Sequence, residues 1–480
     1  MKSPYLRAGS ILFAASIAWA GCGEADTEPL VALSTTELVQ RLDKLEFANP
    51  SGTSRTYTTN QKVNLKKFAD HPFFASLGTN GRACIHCHQV DQGFGISAAG
   101  VQQRFDASAG TDPIFRTNDG SNSPTADVST LAAKRSAYSM LRTKGLIRVE
   151  IGVPASAEFT LSAVNDPYGY VTVGGVAAGT KGLSLFRRPL PSTNLKAITG
   201  VMWDGRESPP GLSVIEALLN QSNDATLGHA QALLGLTTDQ RAQIVEFETN
   251  LFTAQVCDNA AGDLSVNGGL GGPEAVADQP FYVGINDVLT GDSQTHAPFD
   301  PRVFKLYDNW VNSYKKNKDG RDAARAAVAR GQAIFNTHPI TITGVGGLNN
   351  LPGLSTVNGT CTTCHDTPSF GNHSVTLPIN IGIADASRRK PDMPLYTLKN
   401  KTTGETVATT DPGRALITGR WADVGKFKGP ILRALASRAP YFHNGLAATL
   451  DDVVGFYESR FAVGLTSQER ADLVAFLRTL

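Results

Sequence analysis

Cys84-Ile85-His86-Cys87-His88 and Cys361-Thr362-Thr363-Cys364-His365 are two copies of one five-residue pattern, CxxCH. Two cysteines three residues apart lie on one side of a helical turn, so both thiols can bond to the vinyl groups of one porphyrin. The histidine that follows can then direct its imidazole at the metal in the centre of that ring. The pattern predicts two covalently bound c-type haems, with these cofactor and iron ligands: Cys84, Cys87, Cys361, Cys364, His88 and His365.

Other uses of paired cysteines explain the pattern less well. Two CxxC pairs could supply four zinc ligands, but a histidine directly after each pair would then be a coincidence. Disulfides are the usual reading of an even number of cysteines in an exported protein, and this spacing does not favour them. Of the six cysteines, Cys257 has no evident partner, and we expect a buried, inert thiol there, with an intermolecular disulfide as the alternative.

The composition is that of a globular protein. The chain has 480 residues, of which 41% are hydrophobic and 18% are charged, and this length allows two or three domains. The 44 basic and 43 acidic side chains nearly cancel, so no long-range field would recruit nucleic acid or an anionic membrane.

The amino terminus has the pattern of an export signal. Lys2 and Arg7 precede an apolar run at 11–20, which is shorter than the ~20 residues of a membrane-spanning helix. The run ends in Trp19-Ala20-Gly21-Cys22, which resembles the lipobox of bacterial lipoproteins. We therefore expect a signal peptide at 1–21, a tether at 22–34, and a lipid on Cys22 that holds the protein on the periplasmic side of the outer membrane.

An internal repeat supports two haem domains independently of the cysteines. Residues 236–251 read LTTDQRAQIVEFETNL and residues 465–480 read LTSQERADLVAFLRTL, with seven of sixteen positions identical. Each segment predicts an amphipathic helix that begins after a threonine N-cap. A further helix is predicted over 321–335, where Gly331 would let two helices cross closely. We predict an all-α fold of two cytochrome c-like domains, at 35–320 (with an extension at 252–320) and at 321–480, with long loop insertions.

A second repeated motif is a turn that contains an aromatic residue and a glycine and is followed by a helix. Trp203-Asp204-Gly205-Arg206 precedes a helix predicted over 212–219, and Tyr441-Phe442-His443-Asn444-Gly445 precedes one predicted over 450–457. We expect these helices to lie over the two haems.

The order of these motifs resembles the bacterial di-haem cytochrome c peroxidase and MauG family. The shared motifs also include Asp411-Pro412-Gly413-Arg414 and the stretch 426–433. The resemblance implies an oxidoreductase that reduces hydrogen peroxide, or uses it to oxidise a partner, at the first haem. It also implies that a small periplasmic donor or acceptor protein exchanges electrons through the second haem, with Trp203 between the two.

Further site residues follow from the same resemblance. The peroxidases of this family have a methionine ligand at the position of Tyr457, whereas MauG has a tyrosine there. The resemblance to MauG implies that His365 and Tyr457 hold the second iron; the alternative is that Tyr457 is only a core aromatic residue. The first CxxCH lacks the nearby capping histidine of some peroxidases, so we expect an open first haem. Gln221 and His229 follow the Trp203 turn where the family has a glutamine and a glutamate, and His229 is a candidate general base, a sixth ligand, or a residue without a role.

Two other readings remain open. A di-haem oxygenase resembling the rubber oxygenase RoxA would bind dioxygen in an apolar pocket near Leu218 and Leu219, and a plain electron-transfer cytochrome would have no substrate. Calcium is a weaker prediction: the family's site would fall near Arg438 and Pro440, while the run at 118–122 is read as a turn rather than a calcium loop.

Overall fold

The computed structural model describes residues 46–59, 70–312 and 320–480. The predicted signal peptide, lipobox and tether lie outside these ranges. None of the helices in the described ranges is long and apolar enough to cross a membrane. Eleven α-helices lie within them, α1 to α11 in chain order: Ala98–Ser108, Leu131–Ala137, Ser139–Lys144, Val173–Ala177, Val214–Gly228, Thr238–Thr249, Pro273–Ala277, Asp322–Thr337, Ala415–Thr418, Leu450–Phe461 and Ser467–Arg478.

The predicted all-α fold class is wrong. Helix makes up 32% and strand 17% of the structure. The strands in the described ranges are β1 to β11 in chain order: Glu46–Asn49, Gly52–Thr58, Ile147–Ile151, Phe159–Asn165, Leu183–Arg187, Leu251–Asp258, Gly262–Asp263, Ile340–Thr343, Thr356–Gly359, Leu395–Asn400 and Thr406–Thr409. Of these strands, β7 and nearly all of β6 lie in the segment predicted as an extension at 252–320, so that segment carries sheet structure of its own.

The largest sheet is antiparallel and has the strand order β1-β2-β6-β7. Thr56 of β2 lies opposite Thr253 of β6, and their hydroxyls are 2.8 Å apart. β6 starts immediately after helix α6, in the segment predicted as an extension, and seven of its eight residues are buried. A strand buried on both faces has no polar-apolar alternation, which is why the sequence pattern missed it.

A second sheet joins distant parts of the chain. Its order is β11-β10-β4, so residues 395–400 pair with residues 159–165 from the range predicted as the first domain. Nearby, Arg187 at the end of β5 donates two hydrogen bonds to Asp411 (2.7 and 2.9 Å) and one to Asp204 (2.5 Å), and all three side chains are buried. The domain boundary at 320 stays a prediction.

The helical repeat is confirmed. Helices α6 and α11 coincide with the two repeat segments, and the side chains of Thr237 and Thr466 accept the predicted N-cap hydrogen bonds. The predicted helix before the second haem motif is α8, which packs on α11. A methyl group on Gly331 would lie 2.0 Å from the carbonyl oxygen of Asp472, so the close crossing requires glycine there.

Cys257 differs from the expectation. It is buried and disulfide-bonded, so the prediction of an inert free thiol is wrong. The cysteines of both CxxCH motifs are free, and none of the four is its partner.

Candidate functional site

Each CxxCH motif forms a single tight turn. Residues Cys84–His86 form a short 3₁₀ helix, and the backbone N–H of His88 donates to the carbonyl of Cys84 at 2.9 Å. The second motif repeats this geometry, with the N–H of His365 donating to the carbonyl of Cys361 at 3.2 Å. Burial raises the pKa of Cys84 and Cys361 to about 12. The two motifs therefore fold in the same way.

The two motif histidines are oriented in the same way. His88 Nδ1 lies 3.2 Å from the carbonyl oxygen of Phe94, and His365 Nδ1 lies 2.6 Å from that of Gly371, in each case six residues further along. A carbonyl only accepts, so Nδ1 carries the hydrogen and Nε2 keeps a free lone pair. This is the tautomer that an axial histidine ligand needs.

A cavity of about 180 Å³, open to solvent, lies beside the first motif. Most of its wall is apolar, with Met202, Leu218 and Ile431 among the lining side chains. Five of the residues predicted for the first site line it together: Cys84, Cys87, His88, Gln221 and His229.

Buried cations near this cavity show that it fits a dianionic cofactor such as haem. Burial lowers the pKa of Lys428 to about 8 and that of Arg438 to about 10, and both side chains line the cavity. Arg438 Nη2 has no hydrogen-bond partner in the described part of the chain. Next to the second motif, buried Arg433 donates to the Ser369 carbonyl at 2.6 Å and leaves both terminal nitrogens without a partner there. Haem propionates would supply these missing anions.

His229 is held in place by Asp119. The imidazole Nδ1 lies 2.5 Å from the Asp119 carboxylate, which also forms a buried ion pair with Arg82. Burial alone would raise the pKa of Asp119, but the hydrogen bond from His229 and the charge of Arg82 lower it overall. Asn80 Nδ2 donates to the His229 carbonyl at 2.8 Å. The side chain of His229 is 35% exposed along the cavity wall, with Nε2 as the ring nitrogen that Asp119 does not use.

Asp119 is the residue that the sequence analysis missed. It lies in the small polar run at 118–122, where the sequence predicts a turn, and it is 110 positions from its partner, so local pattern gives no sign of the pair. The carboxylate accepts from both His229 and Arg82. The Arg438 carbonyl, near the place predicted for calcium, accepts a hydrogen bond from Arg188 at 2.9 Å. No cluster of three or more acidic, histidine or cysteine side chains suited to a metal occurs in the described residues.

Trp203 does not line the first cavity but lies between that cavity and the turn at 441–445. Its indole donates to the Arg188 carbonyl at 2.8 Å, and its own carbonyl accepts from the N–H of Lys428 at 2.9 Å. Its ring centroid is 6.1 Å from that of His443, which stacks on Phe427 at 3.9 Å. Trp203 therefore contacts both Lys428, which lines the first cavity, and His443 of the 441–445 turn.

Tyr457 lies beside the second motif. Burial and the nearby thiols of Cys364 and Cys361 raise its pKa above the ordinary value for tyrosine. Its ring stacks with Phe461, at a centroid distance of 6.3 Å and an interplanar angle of 20°. This placement agrees with both predictions, an iron ligand and a core aromatic. Of the two leucines predicted near the first iron, Leu218 lines the cavity and Leu219 packs in the neighbouring apolar cluster.

Comparison with known proteins gives partial matches. No family model matches the chain. The chain is 35% identical over 137 residues to the cytochrome-c peroxidase IdrP2 of Denitromonas iodatirespirans, a match that covers 26% of this chain and 37% of the relative. It is 33% identical over 137 residues to the cytochrome c551 peroxidase of Nitrosomonas europaea, covering 28% of this chain and 34% of the relative. These matches span about a third of the length of the relatives.

Among solved structures, a MauG-like protein associated with microbial copper homeostasis is 18% identical to the chain. The match covers 62% of this chain and 74% of that one, with a TM-score of 0.30. A score this low carries no argument about the fold. The sequence relatives nevertheless confirm, over about a quarter of this chain, the resemblance to the di-haem cytochrome c peroxidase and MauG family. Haem is the cofactor class that this resemblance indicates.

Proposed function

We propose that the protein is a di-haem c-type oxidoreductase that reduces hydrogen peroxide at the site formed by Cys84, Cys87 and His88. One observation carries this proposal: the first cavity places a CxxCH motif together with Gln221 and with a histidine that a buried aspartate orients. The haem, covalently attached at each motif, would supply the redox centre. Two electrons and two protons convert one peroxide into two waters, with cleavage of the O–O bond.

His229 is the proton carrier in this proposal. Its Nε2 takes a proton from one peroxide oxygen and returns it to the other oxygen as the O–O bond breaks. Asp119 holds the ring so that Nδ1 carries a hydrogen and Nε2 is the basic nitrogen. Gln221, on helix α5 whose C-cap is His229, would donate a hydrogen bond to the bound peroxide.

The electrons come, in this proposal, from a small periplasmic electron-transfer protein through the second site, where His365 and Tyr457 would hold the iron. A phenolate ligand favours the ferric state. Trp203 would mediate between the sites, since it contacts both Lys428 at the first cavity and His443 on the other side.

Export to the periplasmic side of the cell envelope is part of the proposal and is supported by the sequence at 1–22 alone. A lipid on Cys22 is the specific form of this proposal. Mass spectrometry of the amino-terminal peptide from membrane fractions tests for it.

The test uses the haem-loaded protein. EPR of the ferric state should show one high-spin iron with an open position, and peroxide should react with it rapidly. His229→Gln should slow this reaction by about 10²–10⁴-fold, the range for a lost general acid-base group. His296→Gln, at an exposed histidine, is the matched control. Two low-spin, six-coordinate irons without reactivity towards peroxide would contradict the proposal.

A dioxygen-using oxygenase is the second candidate, and the apolar cavity wall that includes Leu218 favours it. Incorporation of labelled dioxygen into an organic substrate would support this activity. A protein that neither consumes peroxide nor transfers labelled oxygen would be a plain electron-transfer cytochrome.

A further inference from the structure

Glu248 is a buried carboxylate that the proposed reaction does not use. It lies near the end of α6, is 6% exposed, and lines the first cavity. The hydroxyl of Ser192, which lines the same cavity, is near enough to lower the pKa of Glu248, and the Oε2 of Glu248 has no hydrogen-bond partner within the described ranges. Ser192 Oγ in turn lies 2.9 Å from His88 Nδ1. A continuous chain of contacts therefore runs from Glu248 through Ser192 to the first motif histidine.

The internal repeat provides a comparison within the molecule. In the aligned segments Glu248 corresponds to Leu477, which is buried in the apolar core of the second half. His365 there has its Nδ1 against the Gly371 carbonyl at 2.6 Å, and no side-chain hydroxyl is recorded at that nitrogen among the described residues. The helix can therefore pack with an apolar residue at this position.

Burial of a carboxylate here costs free energy that a leucine would not cost. The cost shows in the pKa of Glu248, which burial raises to about 7. No cation pairs with Glu248 in the described part of the chain, and the hydroxyl of Ser192 is the contact that favours its charged form. A buried carboxylate that costs folding free energy, at a position where the repeated helix packs a leucine, needs an explanation other than packing. Its contacts lead to His88.

We propose that Glu248, acting through Ser192, is a positioning residue that makes His88 a more electron-donating ligand than His365. In this arrangement the Ser192 hydroxyl donates to the Glu248 carboxylate, and the Ser192 oxygen shares the Nδ1–H of His88 with the Phe94 carbonyl as a second acceptor. This polarises the imidazole towards imidazolate and raises the basicity of Nε2. Hydrogen bonding behind an axial ligand is one of the ways in which a protein sets a haem potential.

The consequence is an electronic difference between two otherwise similar sites. The Phe94 carbonyl, 3.2 Å from His88 Nδ1, is the counterpart of Gly371 and is common to both halves. Ser192 and Glu248 are the additional groups in the first half. The inference rests on the proposed function only in that His88 must bind haem iron; it does not depend on peroxide as the substrate.

The test compares Glu248→Gln, Glu248→Leu and Ser192→Ala in the haem-loaded protein. Spectroelectrochemical titration should show that the first haem is easier to reduce in all three variants. At a fixed applied potential, the ratio of oxidised to reduced first haem should fall by about tenfold, which corresponds to a rise in reduction potential of about 59 mV for one electron. Resonance Raman of the reduced first haem should show a lower iron–histidine stretching frequency. The potential of the second haem should not change.

Glu246→Gln is the matched control, because Glu246 is exposed on the same helix two residues away. If Glu248→Leu fails to bind haem, Ser192→Ala keeps the carboxylate and still breaks the chain of hydrogen bonds. Unchanged potential and Raman frequency in haem-loaded Ser192→Ala and Glu248→Gln would overturn the inference. A shifted potential in a protein that does not react with peroxide would support it while rejecting the proposed peroxidase activity.

Discussion

Asp119→Asn tests whether the pair formed by Asp119 and His229 is structural or functional. The substitution keeps the shape of the side chain and removes its charge. In the native protein the carboxylate accepts from both Arg82 and His229, with side-chain exposures of 8% for Asp119 and 3% for Arg82. The variant leaves the guanidinium of Arg82 buried without its counter-ion, although the carbonyls of Pro113, Ile114 and His229 still accept from it.

The expected loss of stability follows from these contacts. Breaking a buried ion pair by removing one charge costs ~3–5 kcal/mol, and the remaining carbonyl acceptors of Arg82 place this variant near the lower end. Asp127→Asn, at an exposed aspartate, is the control and should change the free energy of unfolding by less than ~0.5 kcal/mol. Urea denaturation followed by circular dichroism measures both.

The pH dependence gives an independent check. Asp119 has a pKa below its ordinary value of 3.8 in the folded state, so its contribution to stability is complete above pH ~4 and is lost as the pH falls through the lowered folded-state pKa. Asp119→Asn should remove this part of the acid dependence and leave a flatter profile of stability against pH.

The reaction with peroxide decides whether the pair is functional. Asparagine can present either its amide nitrogen or its oxygen to His229, so the imidazole is no longer held in one tautomer, and the rate should fall by ~10²-fold or more. Haem content and the resting spectrum of the second haem serve as internal controls. A variant that loses stability but reacts with peroxide at the native rate would refute the positioning role of Asp119.

Three further substitutions test other features. Tyr457→Phe should shift the spectrum of the second haem and remove a long-lived two-electron-oxidised form after peroxide, whereas an unchanged spectrum with a stability loss of ~1 kcal/mol would mean that the tyrosine only packs. Gly331→Ala should destabilise the protein by ~1–3 kcal/mol in urea, because the added methyl would lie 2.0 Å from a backbone carbonyl oxygen of the last helix. Gly174→Ala, in a short helix where an added methyl meets nothing within 4 Å, is its control, and equal effects of the two would contradict the close crossing. Arg187→Met should cost ~3–5 kcal/mol by leaving two buried aspartates without their cation, while Arg135→Met, at a half-exposed side chain, should have little effect on the denaturation midpoint.

The spacing of residues within a single turn or helix is enough to predict several parts of this structure. The spacing within each CxxCH motif fixes which side chains share a turn, and the backbone hydrogen bond from His88 to Cys84 has the length of an ordinary helical contact. The caps at Thr237 and Thr466 and the helices that follow them were also predictable, because capping depends on residues three positions apart. Helix periodicity is visible when one face is buried and the other meets water.

Tertiary structure decided the rest. Strand β6 is almost wholly buried and shows no alternation, so nothing in its own sequence separates it from a loop or a helix segment. Asp119 meets His229 across 110 positions, and Glu248 reads in the sequence as an ordinary polar residue on a helix. Whether such a carboxylate faces water or a motif histidine depends on which distant segments fold against it. Spacing within a turn is set by covalent geometry, whereas burial and long-range pairing exist only once the whole chain has packed.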